Sequence, residues 1–221
     1  MHTPRLNRSS MTFANRIQNL ARGNRITAIS RRSCVLRFST TCSSSSLYEL
    51  FPKTFPQGAP PNGAFSVDPR ALRSEFLRLQ ALTHPDHART EEDKAAFETQ
   101  SALLNKAYST LRAPLPRAVY LLELRQMHVT EDENLGQDPE LLMQVYELLE
   151  RIEECGSEEE VGKVGEEVAG FIATSEAEVE AAFDADDIEA AKVATIRLRY
   201  WVNIREALKE WQPGQPFRMV H

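Results

Sequence analysis

The sequence predicts an all-α protein, a helical hairpin followed by a three-helix bundle. Three observations carry this. Apolar residues recur at i, i+4 and i+7 through most of the chain after residue 46, the period of a helix buried on one face. No segment alternates apolar and polar residues as a half-buried strand does. Helix-start signals recur at Asp68-Pro69, Asp138-Pro139 and Ser157 with Glu160, where a side-chain oxygen can take an orphan N–H and proline sits where no N–H is needed.

The chain has 221 residues, with 42% hydrophobic and 26% charged residues. That composition suits a globular protein of one or two domains, and no window reaches the roughly 18 apolar residues of a membrane span. The net charge of -6 is unevenly spread. Residues 1–46 hold 8 Arg and no acid, residues 47–125 hold 10 basic and 9 acidic residues, and residues 126–221 hold 8 basic and 23 acidic residues. A nucleic-acid binder places its basic stripe on the folded part, so nucleic acid is set aside as a partner. Cys34, Cys42 and Cys155 form no CxxC pair and are too few for a disulfide framework or a four-cysteine zinc site. A lone Cys155 at a helix end reads as packing rather than as a nucleophile.

The arm of residues 1–46 reads as an address. Phe13, Ile17 and Leu20 share one helical face with Arg16, Arg22 and Arg25 around it, the cationic amphipathic pattern of a mitochondrial presequence. Arg37-Phe38-Ser39 is the expected processing site. The competing reading is a basic tail that binds acidic surfaces.

Leu47–Phe51 reads as a short helix stopped by Pro52, followed by a Pro/Gly-rich loop to Ser66. The next helix starts at Asp68-Pro69, buries Leu72, Phe76 and Leu79, and ends before Pro85. Arg70, Arg73 and Arg78 fall on another arc of it. A helix over Glu91–Arg112 repeats Phe97, Leu104 and Leu111, with Leu103 and Ala107 beside them. Two such helices joined by a short polar loop pack antiparallel. Pro114 and Pro116 break the chain, and Pro116 then starts a helix over Arg117–Met127.

His128–Gln137 reads as a linker. Helix Pro139–Cys155 carries two apolar stripes: Leu141, Val145, Leu148 and Ile152, and beside it Leu142, Tyr146 and Leu149. Periodicity alone favours burying both. Val161, Val164, Val168, Phe171 and Ile172 mark the next helix, Asp184–Asp187 a turn, and Ile188, Ala191, Leu198, Val202 and Leu208 the last helix, which stops before Pro213.

His84-Pro85-Asp86 lies between the first two amphipathic helices, of which the first has a basic face. As a bare tripeptide it is an ordinary turn. A metal site of His84, Asp86 and His87 lacks a distal ligand. In its helical setting the tripeptide resembles the invariant loop of the J-domain. Leu104-Asn105-Lys106-Ala107-Tyr108, leading through Leu111, Pro114 and Arg117-Ala118-Val119-Tyr120-Leu121-Leu122, is similar to the signature of the HscB family, J-proteins dedicated to iron–sulfur cluster assembly. The resemblance covers about residues 47–210.

After the presequence and leader over 1–46, it implies a two-part fold: a J-domain with its connecting helix over 47–127, and a C-terminal three-helix bundle over 128–221. It implies that His84, Pro85 and Asp86, with Arg70, Arg73 and Arg78, meet a mitochondrial DnaK-class chaperone and stimulate its ATPase. It implies that Leu142, Met143, Tyr146 and Tyr200 bind an IscU-type scaffold, which reverses the periodicity argument for the second stripe. The implied location is the mitochondrial matrix, and neither a cofactor, a metal nor an enzymatic activity is expected. The alternative is a J-protein serving another mitochondrial client or protein import. Thr83 and His87 depart from the Tyr and Lys usual on either side of the loop, and the stretch Pro52–Ser66 is longer than the family needs.

Overall fold

The computed structural model describes residues 46–83, 91–129, 138–214 and Phe217. These residues contain helices and no strand. They divide into two compact units. One comprises the described residues up to Ala59 together with Val67–Arg112; the other comprises Pro60–Ser66 and the described residues from Ala113 onward. The expected arm, the His84-Pro85-Asp86 loop with His87, and most of the expected linker lie outside the described residues.

The first unit opens on a 3-10 turn, Leu47–Leu50, closed by a reciprocal cap. Ser46 Oγ accepts from the Tyr48 N–H, and the Glu49 carboxylate accepts from the Ser46 N–H. Helix α1, Pro69–Leu82, starts where Asp68 accepts the Arg70 N–H at 2.8 Å, with Pro69 in the first turn. Helix α2 spans Glu91–Arg112. The two run antiparallel, because Phe76 stacks on Tyr108 with centroids 4.2 Å apart while Gln80 Nε2 donates to Ser101 Oγ at 2.9 Å. Leu72, Leu79, Leu104, Ala107 and Leu111 form the core with Tyr48, Leu50 and Phe51. Phe76, Phe97 and Leu103, expected in that core, are half-buried and seal its flanks.

One buried charge organises the loop after the turn. Glu75 accepts from the N–H groups of Lys53 and Thr54, at 3.1 and 2.8 Å, and from the Thr54 hydroxyl at 2.8 Å. These bonds replace water for the carboxylate and give two loop N–H groups a partner.

The second unit begins with a helix that departs from expectation. Helix α3 spans Pro114–Leu124 rather than Arg117–Met127. Both prolines sit in its first turn, where a missing N–H costs nothing, so neither breaks the helix. Past Leu124 the chain turns through Gln126 at φ 60°, and the Met127 N–H bonds back to the Leu122 carbonyl.

Helices α4 (Pro139–Glu154), α5 (Glu158–Asp184) and α6 (Ile188–Lys209) follow. Asp138, Ser157 and Asp187 each cap a helix through a side-chain oxygen. The reciprocal bond of the Ser157 cap goes one residue back, from the Gly156 N–H to Glu160. Neighbours run antiparallel: Arg151 of α4 pairs with Glu167 of α5 at 2.6 Å, and Phe171 and Glu178 of α5 meet Trp201 and Arg197 of α6. Helices α4 and α6 are therefore parallel. The α6 core is Ala191, Ala194, Leu198, Trp201, Ile204 and Ala207. Val202 and Leu208, expected inside, are half-buried, because toward its C-terminus the helix turns Ile204 and Ala207 inward instead.

The long loop of the sequence gains a purpose in this unit. Phe65 is buried, stacks on Phe183 at 5.3 Å and lies beneath the Arg117 guanidinium at 4.5 Å; its N–H donates to Asp184. A buried aromatic of this kind contributes about 3–5 kcal/mol. Both tryptophans, Trp201 and Trp211, lie in the second unit. Phe65→Ala is expected to lower the urea midpoint followed by tryptophan fluorescence, and an unchanged midpoint would show that Phe65 contributes nothing to this core.

Candidate partner-binding sites

Two surfaces stand out, one on each unit. On α1, Arg70 and Arg73 are exposed and lie about 60° apart around the helix, with Leu77 between them. Leu77 is exposed, a feature the apolar-stripe reading missed. Arg78 is exposed on the next arc and lies 3.7 Å from the buried Glu75 carboxylate. The only acid on α1 thus points inward, and the outer face is cationic with an apolar centre. The helix closes at Thr83, which is buried. Its hydroxyl donates to the Leu79 carbonyl at 3.2 Å, and its N–H donates to the Leu79 and Gln80 carbonyls. Thr83 therefore ends the helix that leads to His84-Pro85-Asp86, residues outside the described set.

On α4 the two stripes separate. Leu141, Val145, Leu148 and Ile152 are buried, Leu142 and Leu149 are half-buried, and Met143 and Tyr146 are 61% and 63% exposed. The reason is geometric. A helix with two neighbours covers an arc of little more than 100°. Glu140 and Gln144 line a cleft with Phe171, Glu178 and Trp201, and Arg151 pairs with Glu167, so this flank of α4 faces α5. Leu142, Tyr146 and Leu149 lie on the opposite flank.

Tyr200, half-buried on α6, is brought to the same level by one ion pair. Arg197 Nε bonds Asp138 Oδ2 at 2.6 Å. From this tie the parallel helices advance together, Tyr200 three residues on and Leu142 four. Asp138 also caps α4 through the Leu141 N–H at 3.1 Å. Burial pushes its carboxyl up, but the Arg197 hydrogen bond, the Leu141 and Glu140 N–H groups and the Arg197 charge outweigh it, so Asp138 is held below the usual carboxylate value. Arg197 is correspondingly raised, chiefly by its bond to Asp138.

Cys155 is the C-cap residue of α4. Its thiol donates to the Arg151 carbonyl at 3.2 Å, and burial, followed by the Glu160 charge, pushes it up and disfavours the thiolate. Among the described residues no helix is long and apolar enough to cross a membrane.

The described residues thus form a capped helical hairpin with a cationic outer face and a bundle that leaves apolar side chains in solvent. The comparisons give the family. The family described as the HSCB C-terminal oligomerisation domain matches residues 137–209. The chain is 35% identical over 182 residues to the mitochondrial J-type co-chaperone Jac1 of Saccharomyces cerevisiae, spanning 80% of this chain and 94% of that one. It is 35% identical over 150 residues to the human iron–sulfur cluster co-chaperone HscB, spanning 67% of this chain and 64% of that one. The solved structure of Saccharomyces cerevisiae Jac1 superposes with a TM-score of 0.64 at 33% identity, over 77% of this chain and 99% of that one. Human HscB superposes at 0.63 and 34% identity, over 66% and 76%. The chain belongs to the HscB/Jac1 family of J-type co-chaperones of iron–sulfur cluster assembly.

A carboxylate held low stabilises the fold above its unfolded value and loses that contribution as pH falls through the folded value. Asp138→Asn keeps a capping oxygen and removes the charge, so it is expected to cost about 1 kcal/mol at neutral pH. The gap between variant and wild type should close below the ordinary carboxylate range, where Asp138 itself is neutral. Urea titrations at several pH values measure this, and a gap independent of pH would rule out the charge as its source.

Proposed function

We propose that this protein brings an IscU-type scaffold to a mitochondrial DnaK-class chaperone in the matrix and stimulates the chaperone's ATPase, without being an enzyme itself. The observation that carries the client half of this reading is the exposure of Met143 and Tyr146 beside the half-buried Leu142. A bundle with no partner gains nothing from a Met and a Tyr in solvent, and contiguous exposed apolar side chains mark contact sites. Tyr is a favoured anchor because it buries a large rigid ring at small entropic cost. Leu142, Met143, Tyr146 and Tyr200 form the scaffold site in this reading.

The chaperone half rests on His84-Pro85-Asp86 and on the exposed arginines of the preceding helix. Asp86 accepts charge-assisted hydrogen bonds from an arginine of the chaperone, Pro85 fixes the loop, His84 adds a polar contact, and Arg70, Arg73 and Arg78 steer an acidic surface toward it. The regions are a presequence over 1–46, the J-domain with its connecting helix over 47–127 and the scaffold-binding bundle over 128–221. The presequence would direct the chain to mitochondria, the location in the names of the yeast relatives. Holding both partners on one chain raises their effective concentration, while hydrolysis belongs to the chaperone.

The test is ATP hydrolysis by the cognate chaperone with and without this protein and scaffold. Stimulation should rise when scaffold is added; stimulation indifferent to scaffold would assign a different client. A charge-assisted bond contributes about 1.5–3 kcal/mol, so Asp86→Ala should cut stimulation by at least about tenfold while scaffold affinity is retained. Full stimulation by that variant would remove the J-domain reading. Conversely, Tyr146→Ala should weaken scaffold binding about tenfold by calorimetry and leave scaffold-free stimulation intact.

A further inference from the structure

Val193 of α6 is 50% exposed. It stands seven residues before Tyr200, two turns away, and so shares its side of the helix within about 20° at a distance of about 10 Å. Ile196, half-buried, lies between them on the same side. The buried face of α6 is a different arc at this level, through Ala191, Ala194, Leu198 and Trp201. Val193 thus has no core to fill. It also has no local reason to be there, since a β-branched residue is a poorer helix former than Ala or Lys.

We propose that the scaffold surface continues from Tyr200 along α6 through Ile196 to Val193, so that the scaffold lies along α6 as well as across α4. This rests on the scaffold site described above. Two further observations support it. In the second unit the exposed large apolar side chains among the described residues are Met143, Tyr146 and Val193. All three stand on the two helices that the Arg197–Asp138 pair holds at one level. A specific interface buries about 800 Å² on each partner, supplied by about 20–30 residues. Four side chains fall short of that. On the α5 side of α4 the surface turns polar at Glu140 and Gln144, whereas along α6 Ile196 and Val193 continue it beside the Arg197 that pairs with Asp138. Beyond Val193 it ends at the exposed Glu189, so the matching scaffold patch is apolar with a cationic margin at that end.

The experiment measures the affinity of the full chain for the IscU-type scaffold by calorimetry, for Val193→Asp, Val193→Ala, Tyr146→Ala and Ala173→Asp, the last placing the same charge on the exposed face of α5. The expected results are a loss of about tenfold or more for Val193→Asp, a smaller loss for Val193→Ala and none for Ala173→Asp, with scaffold-free ATPase stimulation unchanged throughout. If Tyr146→Ala weakens binding and Val193→Asp does not, the extension is wrong and the site on α4 stands. If neither weakens binding, the scaffold reading itself fails. Equal losses for Val193→Asp and Ala173→Asp would make the effect one of general charge and overturn the extension. So would a change in self-association by sedimentation with unchanged scaffold affinity, which would make Val193 a contact between copies of this chain.

Discussion

The bond between Arg197 and Asp138 sets the frame of the second unit. Asp138 is both the cap of α4 and the carboxylate that receives the α6 guanidinium, so one residue fixes where α4 begins and at what level it joins α6. The remaining geometry follows from that anchor. With Glu140, Gln144 and Arg151 turned to α5, the rotation of α4 about its own axis is determined, and Leu142 and Tyr146 fall on the other flank. The position of Tyr200 relative to them is a consequence of the same tie, because two parallel helices that leave one contact rise together.

The first unit solves a different problem with similar means. Its hairpin is held by small contacts at several levels, Phe76 on Tyr108 and Gln80 on Ser101, around a leucine core. Glu75 carries the loop of Lys53 and Thr54 on its carboxylate, and Thr83 closes the helix end. The outer face of α1 is thereby left to Arg70, Arg73 and Arg78. The inward face carries the packing, and Glu75 keeps the helix's single acid out of the cationic outer surface.

The charge partition fits a division of labour. A basic helix face suits an acidic partner and speeds its encounter, while the acidic second unit suits a partner with a cationic margin around an apolar patch. In the function proposed above, the protein's effect lies in which states of its partners it contacts, as befits a family whose members are co-chaperones.

The sequence by itself determined the helices, the capped starts at Asp68, Asp138 and Ser157, and the candidate tripeptide. Asp68, Asp138 and Ser157 cap as their spacing implies, since a cap is a bond between residues two or three apart. The family signature was legible for the same reason, as an ordered string. Pro116 read as a helix start because two prolines look like a break, although both fit the first turn of a helix that begins at Pro114. Long-range contacts decided the rest. Phe65 lay in an apparent loop until Phe183 and Arg117, far along the chain, met it. Leu142 and Tyr146 have the same period as Leu141 and Val145, and periodicity cannot say which of two adjacent stripes a neighbour covers. That depends on the rotation of α4, which α5 and Arg197 fix across tens of residues, a constraint that only the tertiary structure contains.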